Sequence, residues 1–278
     1  MINLLYITLF CLTVSFQSIA GNWNQSSGKK YSNDFSSSIY KNWATWNTTG
    51  PYPKAAKRKN GKLIITVTKD MVDSHTNRTG RFEIQKNNIS KNLAVYQKFK
   101  VRSHPNNLIN DRVLVAQIKQ FYSGTVGIIP QAAVFLDRTP TCTTYSYKKY
   151  PKHKIYKSDT IKSYTSKKKN WYFSEYRQLL ELYNRPFETL ADGNWHTVEM
   201  DVYPHSKYGY CTIKIDGKVW VSISNRNTRG TYSGRNFYYD ARIGIYRDTV
   251  VHSHTVEFDD WEIETYKPET GKRIDSSN

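Results

Sequence analysis

Cysteine, long apolar runs and acidic side chains are all in short supply in this 278-residue chain. There are three cysteines, Cys11, Cys142 and Cys211. No Cys/His grouping has the spacing of zinc ligands, which excludes a zinc-built module. After residue 20 no segment approaches the ~20 consecutive apolar residues that a spanning helix requires, so no further membrane-crossing helix is expected. Asp and Glu number 23 against 41 Lys and Arg, a net charge of +18 with a pI near 9.6. That excess points to acidic partners: nucleic acid, an anionic membrane or an acidic polysaccharide. Neither an internal repeat nor a strand–helix–strand rhythm is visible, which sets aside repeat arrays and parallel α/β folds.

The chain opens with twenty residues free of charged side chains that end in Ser-Ile-Ala, and polar sequence follows. This reads as a secretory signal over residues 1–20, with a membrane anchor as the alternative because the first residues lack the usual lysine. Residues 21–278 read as one domain, secreted or periplasmic, monomeric and without stable membrane insertion. Export argues against nucleic acid as the main partner and leaves an anionic polysaccharide. Cys11 leaves with the signal, so Cys142 and Cys211 remain as an even pair suited to one disulfide in an oxidising compartment.

From Gly61 onward the pattern is β. "GKLIITVTKD", "GRFEIQ", "LAVYQKFKVRS", "DRVLVAQIKQF", "TVGIIPQAAVFLD", "WHTVEMDVYP", "YCTIKIDGKVWVSIS", "DARIGIYRD" and "HTVEFDDWEIETY" read as strands. Asp216-Gly217 marks a hairpin. Only "FSEYRQLLELYNRP", residues 173–186, looks helical. Roughly ten strands and few helices predict an all-β antiparallel sandwich of jelly-roll type. Residues 147–172 interleave nine lysines with tyrosines against one aspartate, and Lys167, Lys168 and Lys169 are taken as polymer-binding groups. The basic run "KAAKRKNGK", residues 54–62, reads as loop.

Period two along "RIGIYRD" puts Arg242, Gly244 and Tyr246 on one face and Ile243, Ile245 and Arg247 on the other. Gly244 between the two large polar side chains reads as an open floor for a ligand. Nearby cations favour a phenolate, which makes Tyr246 usable as an acid or base. Arg81 and Glu83 share one face of their strand, as do Gln117 and Lys119 of theirs. Together these side chains suggest a polar groove on a concave sheet.

"RFEIQ", "VAQIKQ", "GNWHTVEMDVYPHSKYGYCTIKIDGKVW" and "ARIGIYRD" occur in an order and spacing that resembles the heparin lyase I-like polysaccharide lyases, with glucuronan lyases and jelly-roll alginate lyases as architectural relatives. The resemblance spans about residues 61–265 and implies a concanavalin-like jelly roll. It also implies β-elimination on a uronic-acid polymer without a required cofactor. By position it assigns the catalytic tyrosine to Tyr246, carboxylate binding to Gln117, and supporting charge to Arg81 and to Arg242, which stands where the family has lysine. Lys119 stands where many relatives have histidine, so the base is left open among Lys119, His75 in the loop before Arg81, and Tyr246. His196 reads as structural. Glu83, Lys119 and Arg247 join the lysine run as substrate-binding groups.

The acidic ends "SNDFSSS" and "EFDDWEI" resemble those of sandwiches that hold a structural calcium, with Asp34, Asp259 and Asp260 as ligands. The rival reading is a non-catalytic, lectin-like carbohydrate-binding sandwich. A glycoside hydrolase ranks last, because it needs two carboxylates facing each other and Glu83 is the one evident groove acid.

Overall fold

The computed structural model describes residues 29–36, 44–47, 55–71, 80–104, 113–122, 130–136, 140–146, 161–165, 172–176, 189–229, 237–247 and 252–268. Two antiparallel sheets face each other. With strands numbered in chain order, the larger contains β1 (Lys29–Asn33), β3 (Ala56–Lys59), β4 (Lys62–Val67), β6 (Ala94–Ser103), β13 (Trp195–Tyr203), β14 (Gly209–Ile215), β15 (Lys218–Arg226) and β17 (His254–Tyr266). Its order is β15-β14-β13-β6-β17-β4-β3, with β1 also paired to β17. The smaller holds β2 (Ala44–Asn47), β5 (Gly80–Ser90), β7 (Val113–Tyr122), β8 (Pro130–Phe135), β9 (Thr141–Cys142) and β16 (Phe237–Arg247), in the order β2-β5-β16-β7-β8-β9. A separate sheet of three strands comprises β10 (Thr144–Ser146), β12 (Tyr172–Tyr176) and β11 (Ile161–Thr165). The fold is the expected all-β jelly-roll sandwich.

Alternation builds the core. β4 buries Leu63, Ile65 and Val67, β6 buries Val95, Phe99 and Val101, and β13 buries Val198, Met200 and Val202. Opposite them β16 turns in Tyr239, Ala241, Ile243 and Ile245, and β5 turns in Phe82 and Ile84. At ~1.5–3 kcal/mol for each large apolar side chain removed from water, this inner layer dominates the folding energy. Polar ties cross between the sheets as well: the buried Gln97 of β6 donates to the backbone carbonyl of Arg242 in β16 at 3.2 Å. That bond fixes the height of the strand carrying Arg242 and Tyr246 over the other sheet.

Two expectations change. Residues 172–176 form strand β12, with Tyr172–Tyr176 paired to β11. The rest of the helix-like stretch lies outside the described residues. Within the basic run expected as loop, residues 56–62 are hairpin: Lys59 pairs with Lys62 across Asn60-Gly61, whose φ values are +53° and +70°. Asp216-Gly217 does the same between Ile215 and Lys218, at +51° and +74°. Positive φ at both turn positions is the twist-matched geometry that Asn-Gly and Asp-Gly favour.

Cys142 of β9 and Cys211 of β14 form a disulfide that staples the edge of the smaller sheet to the larger, with Cα atoms 5.9 Å apart and 69 residues of sequence separation. A closed loop of that length is worth roughly 2–5 kcal/mol, largely by restricting the unfolded chain. The Cys142→Ala/Cys211→Ala variant is therefore expected to lose roughly that much unfolding free energy in urea titrations. A loss below about 1 kcal/mol would show that the pairing adds little.

Candidate active site

Strands β5, β16 and β7 lie side by side, and their register assembles one polar row on the face turned away from the core. Tyr246 lies opposite Arg81, Gly244 opposite Glu83, and Arg242 opposite both Gln85 and Gln117, while Asp240 lies opposite Lys119. The sequence-predicted groups Arg81, Glu83, Gln117, Lys119, Arg242 and Tyr246 are thus brought together on one surface. Asp240 and Phe121 belong with them and were not foreseen, although period two from Arg242 and from Lys119 reaches both.

Glu83 is the hub and is fully buried. Arg81 donates to its Oε2 from Nε at 2.7 Å, and its Nη2 lies 2.6 Å from the same oxygen as an ion pair. The Gln117 amide donates to its Oε1, and Nη1 of Arg242 lies 3.4 Å from Oε2. Burial pushes this carboxyl up, but the charges of Arg81 and Arg242 and the hydrogen bonds outweigh it and hold Glu83 below the ordinary carboxylate range. Arg242 is 2% exposed. It donates from Nη2 to Asp240 at 2.7 Å, and its guanidinium lies 4.6 Å from the Phe121 ring centre. Burial raises the Asp240 carboxyl, and the Arg242 charge offsets part of that rise.

Gly244 serves packing, not a ligand. Its φ is +151°, and a Cβ there would stand 2.3 Å from the Phe82 carbonyl oxygen and 2.6 Å from Glu83 Cα. The space expected as a ligand floor is filled by β5, whose close approach seats Glu83 beneath the row. Glu83, sealed from solvent, is correspondingly an anchor for Arg81, Gln117 and Arg242 rather than a substrate-binding group. Arg247 is also withdrawn from that role. It is 0% exposed on the opposite face. There it donates from Nη2 to the Thr68 carbonyl at 2.7 Å and from Nη1 to the His252 carbonyl, and it bonds the His254 ring.

Tyr246 and Lys119 are the ionisable members of the row that keep a partly open side chain. Tyr246 packs against the patch of Leu114, Ala133 and Phe135. The Arg81 guanidinium sits over its ring, 4.7 Å from the centre. So the cation beside the phenol is Arg81, while Arg242 lies further along β16, over Phe121. Lys119 Nζ lies 5.5 Å from the Phe121 ring centre. Burial and then the charges of Arg81 and Arg242 push its amine down to about 7, with Glu83 and Asp240 counteracting in part. Near neutral pH a large share of Lys119 is therefore a free amine, which is what a proton acceptor needs.

His75, Lys167, Lys168 and Lys169 lie outside the described residues. His196 is tied to Asp216 at 2.7 Å and to Asp192 at 3.0 Å on the larger sheet, consistent with a structural part. Of the acidic residues expected as calcium ligands, Asp260 pairs with Lys100 at 2.7 Å, Asp259 accepts the Asp260 N–H, and Asp34 accepts from the Ser36 backbone and hydroxyl. Among the described residues no group of three or more His, Cys, Asp or Glu side chains gathers to hold a metal ion.

No protein-family model matches the chain, and no curated protein is significantly similar in sequence. Solved structures are similar in fold. A family 7 alginate lyase, solved as a double variant with its substrate bound, has a TM-score of 0.51 at 11% identity, covering 89% of this chain and 96% of the other. The endo-β-1,4-glucuronan lyase of the fungus Trichoderma reesei has a TM-score of 0.48 at 14% identity, covering 88% and 91%. A GlcNAcα1-4Gal-releasing endo-β-galactosidase of Clostridium perfringens has 0.48 at 13% identity, covering 87% and 63%. At such identities the likeness establishes the architecture, and function rests on the row itself.

Proposed function

We propose that this chain is an extracytoplasmic polysaccharide lyase that cleaves an anionic, uronate-containing polymer by β-elimination. The observation that carries the reading is the composition of the row. Its two open ionisable groups are an amine depressed to about 7 and a tyrosine backed by a guanidinium. Its two carboxylates are sealed, Glu83 at 0% and Asp240 at 2% exposure, each bonded to arginine. A hydrolase needs two carboxyl groups open to the scissile bond. An eliminase needs a base, an acid and fixed positive charge, and those are present.

In the proposed reaction the Lys119 amine takes the C5 proton of the uronate. The C5–H electrons form the C4–C5 double bond, the C4–O bond breaks, and the Tyr246 hydroxyl protonates the departing oxygen. Arg81 and Gln117, only 5% and 2% exposed and held by Glu83, back the row from beneath with fixed positive charge and an amide dipole that stabilise the charge building as C5 loses its proton. Arg81 also stands behind the phenolate left on Tyr246. Proton exchange with water resets both groups. Lys119 and Tyr246 stand toward opposite ends of the row. About five residues of β7, roughly 17 Å of strand, separate their Cα stations, so both long side chains must lean toward one uronate to reach its C5 proton and its neighbouring C4 oxygen.

Two readouts test this. Incubation with heparin, heparan sulfate, glucuronan and alginate should give rising absorbance from an unsaturated uronate with one of them. Retention of polymer without product would make the chain a carbohydrate-binding sandwich, and saturated ends would make it a hydrolase. For the base, kcat/KM should rise with pH through about 7, because the free amine is the active form and the charged form prevails below that value. Lys119→Met should abolish that limb along with most of the rate. If the limb survives, the base is another group, with His75 the first to examine.

A further inference from the structure

The turn joining β13 to β14, "YPHSKYGY", is built more tightly than a connection requires. The His205 ring stacks on Tyr203 at 5.3 Å between centres and on Tyr208 at 5.5 Å, with planes 21° apart in both pairs. Nδ1 of His205 accepts the backbone N–H groups of Tyr208 at 2.8 Å and of Lys207 at 3.1 Å. The Thr228 hydroxyl donates to the Tyr203 carbonyl at 2.7 Å and accepts the His205 N–H at 3.2 Å, and the Thr228 N–H donates to the His205 carbonyl at 3.0 Å. These bonds hold a three-ring stack rigid and leave its last ring, Tyr208, 46% exposed. The charge acting on both Tyr203 and His205 is the positive one of Arg229, and the Lys207 ammonium lies 4.9 Å from the Tyr208 ring centre.

We infer that the Tyr203–His205–Tyr208 stack, flanked by Lys207 and Arg229, is a second binding site for an anionic polysaccharide. Its place is remote from the polar row: Tyr203 points outward from the larger sheet, and the row points outward from the smaller one. A flat ring presents its face to the C–H bonds of a pyranose, and the two cations suit the carboxylate or sulfate of that sugar. A pre-ordered ring also avoids most of the entropy cost of capturing a flexible polymer. The site goes beyond the proposed elimination and does not depend on it, since it holds polymer without reacting with it.

The test is retardation of the full mature protein in native gels containing heparin, heparan sulfate, glucuronan or alginate, at 0.15 M salt. Tyr208→Ala leaves net charge unchanged, so plain attraction between a basic protein and a polyanion persists in the variant. It should weaken retention about 3- to 10-fold in at least one polymer, while Tyr208→Trp should restore it. Turnover of short oligosaccharides should be unaffected. Thermal unfolding of Tyr208→Ala should match wild type, because the side chain is exposed and ends the stack. Equal retention of Tyr208→Ala and wild type in all four polymers overturns the site, as does wild type that none retards. Loss of retention in Tyr208→Ala together with no unsaturated product would leave this site standing and refute the elimination.

Discussion

Tyr246→Phe is expected to lower kcat by about 10²–10⁴-fold while leaving KM within a few-fold of wild type. The substitution removes one hydroxyl and keeps the ring between the Arg81 guanidinium and the patch of Leu114, Ala133 and Phe135, so the fold and the groove wall persist. In the proposed elimination what is lost is the proton for the departing oxygen, an interaction realised as the C4–O bond breaks. Such an interaction appears in kcat and not in ground-state binding. Steady-state kinetics on the responsive polymer, with the unsaturated product followed continuously, checks this. Near-full activity in Tyr246→Phe would reduce Tyr246 to a groove wall and move the acid elsewhere.

Glu83→Gln is expected to cost roughly 3–5 kcal/mol of stability, although the side chain changes by one atom. Glu83 is fully buried under two guanidiniums, and removing its charge leaves Arg81 and Arg242 short of a counter-ion where water does not reach. Urea denaturation measures the loss, and a change within ~1 kcal/mol would mean that Asp240 alone suffices to neutralise the pair. The pH dependence has a definite sign. The folded-state pKa of Glu83 is depressed below its ordinary 4.5, so its contribution is complete above that value and disappears as pH falls through the folded value. The Glu83→Gln variant should therefore lose less stability than wild type on acidification below 4.5. Activity should fall too, because Arg81 loses the partner that aims it at Tyr246.

Much of this arrangement is written in local pattern. Strict alternation exposes the strands, and period two puts Arg81, Glu83, Gln117, Lys119, Arg242 and Tyr246 on polar faces that the register then brings together. The pattern is silent about depth. Arg242 and Arg247 both look like strand arginines available to a polymer, and both are buried, because partners on other strands and loops help receive them: Glu83, with Asp240 of its own strand, for one, and Thr68 and His254 for the other. It also assigns the wrong cation to Tyr246, since period two sees along a strand and Arg81 acts from the neighbouring one. Asn60-Gly61 carried a hairpin signal that the surrounding lysines masked. Lys119 stands in a histidine's place by resemblance, and its burial, followed by the charges of Arg81 and Arg242, shows how a lysine can be brought to a histidine's proton affinity.

The Cys142–Cys211 staple has a topological consequence for the basic segment. All nine lysines of residues 147–172 fall within the covalent ring that the disulfide closes. A trypsin-like protease that cuts once after any of them opens the ring without dividing the molecule, because the two pieces stay joined through the disulfide. A nicked chain would run as one band until a reductant is added and as two afterwards. The stretch that carries nine tryptic sites is thus one where a single cut releases no fragment.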